Sequence, residues 1–165
     1  MDEGHDSSED EEYLYLPSTI IKDKLYLSCA SIAGKKHLID HYGIKGVISL
    51  GSFYEHVTYT LHPEPVNYHF VFINDHEDEP IELEFKDCIA FINQTEGPVL
   101  VHCMAGISRS ATIVIAYLMS ERKMSYSEAY NYVKEKRRIV RPNDGFLQQL
   151  ISFSSQLSGQ PLDTF

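Results

Sequence analysis

The 165-residue sequence contains no tryptophan and only three cysteines, at positions 29, 88 and 103. No two of them share a Cys-x-x-Cys spacing, which excludes a zinc ribbon, and three widely spaced thiols do not make a disulfide framework. Such cysteine usage fits a reducing compartment, so cytoplasm or nucleus is the expected location. No apolar run approaches the roughly 20 residues that a membrane span needs. The N-terminus lacks the apolar core of a signal peptide, and Asp2 follows Met1, so there is no glycine to myristoylate. Positive charge is also scarce: 14 Lys and Arg stand against 24 Asp and Glu, a net charge of -10. That is the wrong sign for a general nucleic-acid binder. Neither nucleic acid nor membrane is an expected partner, and no internal repeat is visible.

The negative charge is concentrated. Residues 1–12, "MDEGHDSSEDEE", hold seven acids and no Lys or Arg. Such a segment has almost nothing apolar to bury and is expected to be a disordered tail. Ser7 and Ser8 are each followed three residues later by an acid. That pattern suits an acid-directed kinase, and it equally suits a solvating tail. Residues 13–165 are then expected to form one domain, a length that supports a full core.

Apolar periodicity divides that domain into alternating strands and helices. "TIIKDKLYLS" (Thr19–Ser28) reads as two short strands around a Lys22-Asp23 turn. Ile32, Leu38, Ile39 and Tyr42 give a loose helical stripe that stops at Gly43. Lys45–Gly51 reads as a strand, 52–66 as irregular, and Asn67–Ile73 as a strand apolar on both faces. Phe85, Cys88, Ile89 and Ile92 have core-facing helical spacing within a helix over 82–96. Pro98–Val101 is a continuous apolar run, as a central strand covered on both sides requires. Ser110–Met119 is apolar nearly all round and predicts a buried helix. Ser125 and Glu128 form a capping box for a helix ending near Arg138. A last helix starts near Asn143, with Phe146, Leu147, Leu150, Ile151 and Leu157 on its apolar face. The alternation predicts an α/β fold: a mostly parallel central sheet of about five strands, flanked by helices.

"VHCMAGISRS" (Val101–Ser110) lies between the central strand and the buried helix. The five residues separating Cys103 from Arg109 are Met104, Ala105, Gly106, Ile107 and Ser108, all uncharged. A loop this short must curl, so its backbone N–H groups can converge, and Gly106 permits the positive φ such a curl demands. The following helix N-terminus adds free N–H groups and partial positive charge. Together they make an anion cradle sized for phosphate. In that field Cys103 is expected to ionise readily and act as a nucleophile. Arg109 offers a planar fork for two phosphate oxygens, which Lys cannot match. Ser110 is placed to donate a hydrogen bond to the sulfur, and His102 to orient the loop through its ring nitrogens.

"HCMAGISRS" resembles the signature loop of the protein tyrosine phosphatase superfamily, closest to the dual-specificity phosphatases of small, atypical type. "IIKDKLYLS", "YGIKGVISL" and "RPNDGFLQQL" resemble further family segments, so the likeness runs over roughly residues 17–157. It implies a phosphatase acting on phosphotyrosine and phosphoserine/phosphothreonine in proteins, through a phosphocysteine on Cys103. It implies that Arg109 and the amides of residues 104–109 hold the phosphoryl oxygens. It places a general acid at Asp75, with Asp78 the alternative in the same acidic loop, and a loop-bracing role on Asn143. No cofactor or metal is implied. The lack of tryptophan departs from the Trp-Pro-Asp acid loop of larger relatives and implies a shallow pocket.

Other features carry two readings. His37 and His41 at i, i+4 are either a metal pair or surface histidines, and no third ligand is evident. Cys88 lies on a core stripe, and a reversible disulfide with Cys103 is the other reading. Lys134, Lys136, Arg137, Arg138 and Arg141 form either a solvated helix end or a second anion contact. The function likewise has alternatives: a phosphoinositide, glycan or RNA 5′-end phosphatase, or a phosphate-binding adaptor without turnover.

Overall fold

The first chain reversal is made by Asp23, whose φ of 58° lies in the left-handed region, a conformation that Asp tolerates in turns. In the computed structural model, which describes residues 15–159, this turn joins strands β1 (Ser18–Ile21) and β2 (Leu25–Cys29) into an antiparallel pair. Two short helices follow, α1 (Ala30–Ala33) and α2 (Lys36–His41), where the sequence suggested one loose stripe. The interruption falls at Gly34, the C-cap of α1. A side chain there would press on Thr60 at 3.3 Å, so close packing against the 58–60 segment favours glycine at the break.

Strand β3 (Gly46–Gly51) is buried along its whole length. It leads into α3 (Phe53–His56), a single turn within the stretch expected to be irregular. Ser52 accepts from Glu55 N while the Glu55 carboxylate accepts from Ser52 N at 2.6 Å, a complete capping box. Strand β4 (Asn67–Phe72) follows. It is an edge strand, not a doubly covered one: of its residues only Val71 is buried, and Phe72 is 65% exposed. Its apolar residues had suggested burial on both faces, but an edge position leaves one side open to solvent.

A 3-10 turn (Ile81–Glu84) opens α4 (Phe85–Gln94), whose Phe85, Cys88, Ile89 and Ile92 all face the core as their spacing required. Strand β5 (Val99–Cys103) then enters the middle of the sheet, and α5 (Arg109–Glu121) leaves from just beyond it. Helix α6 (Tyr126–Lys136) begins at the expected Ser125–Glu128 capping box. Helix α7 (Asp144–Ser158) is capped by the Asn143 side chain and ends at Gly159 in the left-handed conformation. Its buried face is narrower than its sequence suggested: Phe146 and Leu150 are enclosed, while Ile151 and Leu157 are exposed.

The five strands run in the order β1-β2-β5-β3-β4, with only the β1–β2 pair antiparallel. Eleven consecutive residues of α5, Arg109 to Met119, are buried. They pack between the sheet and α4, α6 and α7, forming the larger core. A smaller core around Tyr26, Ile39, Val47 and Leu100 covers the opposite face. Parallel strands place their C-terminal ends together, and ligands of such sheets bind beyond those ends where the strand order reverses. Here that edge carries Cys29, Gly51 and Cys103. Among the described residues no helix is long and apolar enough to cross a membrane. The acidic segment 1–12, with Ser7 and Ser8, lies outside the described residues.

Candidate active site

The loop from Cys103 to Ser108 is held from outside by its carbonyls. Met104 O accepts from Ala30 N at 3.1 Å, and Ile107 O from Arg141 N at 2.8 Å. Gly106 O accepts from Arg137 Nε at 2.8 Å, and Ala105 O from Arg137 Nη2 at 3.4 Å. A trans peptide points its N–H opposite to its C=O. Four carbonyls fixed outward therefore turn the N–H groups of residues 105–108 inward. Gly106 N already points at Cys103 Sγ, 3.2 Å away. The loop adopts this curl at Gly106, whose φ is +67°. A Cβ there would stand 2.6 Å from both Ser28 O and Arg137 Nη2, so space as well as conformation requires glycine.

Cys103 is 2% exposed and its sulfur lies 3.1 Å from Ser110 Oγ, the pairing expected from the sequence. His102, 3% exposed, turns Nδ1 to the Cys103 carbonyl at 3.2 Å and meets the Tyr59 ring edge-on at 4.9 Å. Burial lowers the His102 pKa to about 4. The ring is thus neutral at pH 7, with Nδ1–H as the donor. Burial also raises the Tyr59 hydroxyl pKa, and that hydroxyl donates to Leu50 O at 3.0 Å.

Arg109, 6% exposed, is held by a residue that the sequence reading did not single out. Its Nη1 and Nη2 donate to Glu55 Oε2 and Oε1 at 2.6 and 2.8 Å, and Nη1 also reaches Ile73 O at 3.0 Å. The paired guanidinium, above all, holds the Glu55 carboxyl at about 2, well below its usual range. Fork-to-fork contact of this kind fixes the plane of the guanidinium as well as its position. Arg109 Nε, buried, has no partner among the described residues. The only sequence signal for Glu55 was Ser52-x-x-Glu55, which predicts a helix start and says nothing of Arg109.

The acidic loop after β4 brings Asp75 to the same place. Ile73 O touches Arg109, and two residues later Asp75 Oδ1 accepts from Asn143 Nδ2 at 2.9 Å. The side chain of Asp78 is 89% exposed and, among the described residues, meets only His76 across 3.7 Å. Asn143 joins three parts. Its N–H donates to Ser108 Oγ at 2.9 Å, its Nδ2 to Asp75, and its Oδ1 caps α7 through Phe146 N at 2.9 Å. The bond to the signature loop is therefore made by its main chain, and its side chain extends to the acid. Gly145 lets the acidic loop lie directly on α7, since a Cβ there would fall 1.9 Å from Glu77 O. Gln149 clamps the far end of that loop, accepting from Glu82 N and donating to Glu79 O, both at 2.9 Å.

The basic cluster splits. Arg137, 1% exposed, is a structural brace beneath the loop, reaching Ser18 Oγ at 3.3 Å as well as the two loop carbonyls. Lys134 caps the Val140 carbonyl, Lys136 lies 5.3 Å over the Tyr132 ring, and Arg138 and Arg141 are exposed. The cysteines are free. Cys88 sits deep against α5, where burial pushes its thiol up. Cys29, not Cys88, is the ladder neighbour of Cys103. His37 and His41 are exposed, and among the described residues no three His, Cys, Asp or Glu side chains gather to hold a metal.

The chain as a whole is similar to known proteins. The profile described as "Dual specificity phosphatase, catalytic domain" matches residues 25–156. The chain is 36% identical over 147 residues to Dual specificity protein phosphatase 1 of Arabidopsis thaliana, covering 86% of this chain and 72% of that protein. It is 41% identical over 143 residues to Dual specificity protein phosphatase 14 of Mus musculus, covering 85% and 70%. It spans only 30% of a probable rhodanese domain-containing dual specificity protein phosphatase of Dictyostelium discoideum, with 37% identity. Among solved structures, the human tyrosine phosphatase-like serine/threonine/tyrosine-interacting protein superposes with a TM-score of 0.79 and 33% identity, over 85% of this chain and 96% of that one. A profile match running from β2 through the signature loop into α7, together with such relatives, places this protein in the dual specificity phosphatase family.

Proposed function

We propose that the protein hydrolyses phosphotyrosine and phosphoserine/phosphothreonine in phosphoproteins through a phosphocysteine on Cys103. The observation that carries this reading is the outward fixing of four loop carbonyls, which leaves the amides of residues 105–108 converging above the Cys103 sulfur. Cys103 Sγ attacks phosphorus and the ester P–O bond breaks. The leaving oxygen takes a proton from the Asp75 carboxyl, and the loop amides with Arg109 hold the non-bridging oxygens. Water then attacks phosphorus while the Asp75 carboxylate takes its proton. The S–P bond breaks, phosphate departs, and Ser110 Oγ stabilises the sulfur as it leaves. His102 positions the Cys103 carbonyl, and Asn143 positions Asp75 against the loop.

The test is phosphate release from matched phosphotyrosyl and phosphothreonyl peptides by wild type, Cys103→Ser, Asp75→Ala and Asp78→Ala. Turnover is expected to vanish in Cys103→Ser. Asp75→Ala, unlike Asp78→Ala, is expected to lose rate on poor leaving groups. A non-protein phosphate is less well served, because Met104, Ala105, Ile107 and Ser108 add no charge to the loop for a highly anionic substrate. An adaptor role without turnover is the second alternative. It predicts phosphopeptide binding by wild type with no phosphate released.

A further inference from the structure

A cleft of about 290 Å³ opens beside the signature loop. One wall carries Ser31 and Lys35, the other Thr58, Tyr59 and Thr60, and Met104, the residue after the nucleophile, lines it as well. The Ala30 N to Met104 O bond ties the first wall to the loop, so the cleft is fixed relative to Cys103. No carboxylate lines it. Of its hydroxyls, Ser31 pairs with Cys29, Thr58 donates to Glu55 O and Tyr59 to Leu50 O, and its one charge comes from Lys35.

Lys35 is half-buried, and among the described residues its ammonium has neither a hydrogen bond nor an ion pair. The next residue differs: Lys36 pairs with Asp40 at 2.6 Å. Lys35 also occupies the N-cap of α2, and its side chain caps nothing. A cation is disfavoured at a helix N-terminus, so the stability of α2 does not account for it. In a chain of net charge -10, an unpaired cation in an acid-free cleft next to the signature loop has the chemistry to receive an anion.

We propose that this cleft binds a second anionic group of the substrate, a carboxylate or a phosphoryl, on a residue flanking the phosphoresidue held over Cys103. The assignment rests on the phosphoprotein reading above and narrows it to substrates with an acid or a second phosphate close to the cleaved one. Met104, 41% exposed, supplies an apolar surface between the two anion sites for the intervening peptide.

The test uses phosphotyrosyl peptides with alanine at the flanking positions, a glutamate walked through those positions, and a phosphoserine series alongside. kcat/KM is measured for wild type, Lys35→Gln and Lys35→Glu. Wild type is expected to prefer glutamate over alanine by about three- to tenfold at positions on one side, the scale of a partly exposed charge pair. A larger preference for phosphoserine there would identify the phosphoryl source, and an equal one the carboxylate. Lys35→Gln should collapse the ratio to unity, and Lys35→Glu should invert it in favour of alanine. A flat peptide profile in active wild type, or a ratio that survives Lys35→Gln, overturns the subsite alone. If wild type cleaves para-nitrophenyl phosphate and none of the peptides, the phosphoprotein reading fails, and the subsite fails with it.

Discussion

Replacing Glu55 tests whether Arg109 must be aimed from behind. In Glu55→Gln the side chain keeps its shape and one acceptor oxygen but loses its charge and its second acceptor. Arg109 is 6% exposed, so its guanidinium would remain as a buried cation without a counter-charge. Removing one partner of a buried pair costs about 3–5 kcal/mol. The Glu55 side chain is 23% exposed, and water can partly replace it, which brings the expectation to about 2–3 kcal/mol. The depression of the Glu55 pKa from 4.5 to about 2 corresponds to about 3.5 kcal/mol at about 1.4 kcal/mol per unit, an upper bound that solvent screening lowers toward this range. Loss of aim should appear in catalysis too. If half of that energy is lost specifically in the transition state, kcat falls by about tenfold, with a smaller change in KM. Urea unfolding and steady-state kinetics on one phosphopeptide measure the two effects, and Glu55→Asp should recover part of kcat. Wild-type stability in Glu55→Gln would refute the energetic argument. Lost stability with unchanged kcat would show that the pair serves the fold only.

Three further outcomes are expected. His102 has a folded pKa of about 4 against an ordinary 6.5, so the unfolded chain binds its proton first. Its contribution is intact above pH 6.5 and is lost as pH falls to about 4, by up to about 3 kcal/mol. Glu55 continues the same trend from about 4.5 to about 2. Urea unfolding across pH should therefore show stability falling below about 6.5, and His102→Asn should flatten the upper part of that fall. Gly145→Ala drives a Cβ into the Glu77 backbone, so it should cost about 1–3 kcal/mol. It should also slow cleavage of poor leaving groups more than good ones, as measured with a series of aryl phosphates. Arg137→Met removes the donors to the Gly106 and Ala105 carbonyls. It should destabilise by about 2–4 kcal/mol, with KM for phosphopeptide rising as the loop loosens.

What the sequence made legible was local. The glycine at position 106, the apolar run of β5 and the all-round apolar α5 each have a physical cause within a few residues, and each lies where expected. The Ser125–Glu128 capping box likewise works through neighbours in sequence. What was not legible depends on distant packing. Glu55 and Arg109 are 54 residues apart, and nothing in "SFYE" distinguishes a capping glutamate from one that also holds an arginine. Arg137 reads the same as Arg138 in "KRR", yet one is enclosed and the other faces solvent. Strand β4 looked doubly apolar because Phe70 and Phe72 are exposed at the sheet edge, an outcome set by strand order rather than by composition. The choice of Asp75 over Asp78 came from the family resemblance. In the structure Asp75 Oδ1 accepts from Asn143 Nδ2, a contact that sequence spacing alone does not reveal.

The proposed hydrolysis requires Cys103 to carry the phosphoryl group. Wild type and Asp75→Ala should be mixed with a phosphotyrosyl peptide and quenched in acid within one turnover. The peptide containing Cys103 is then examined by mass spectrometry. One phosphoryl group is expected on Cys103, absent in Cys103→Ser. Continued turnover with no phosphoryl group on Cys103, or wild-type turnover in Cys103→Ser, would contradict it.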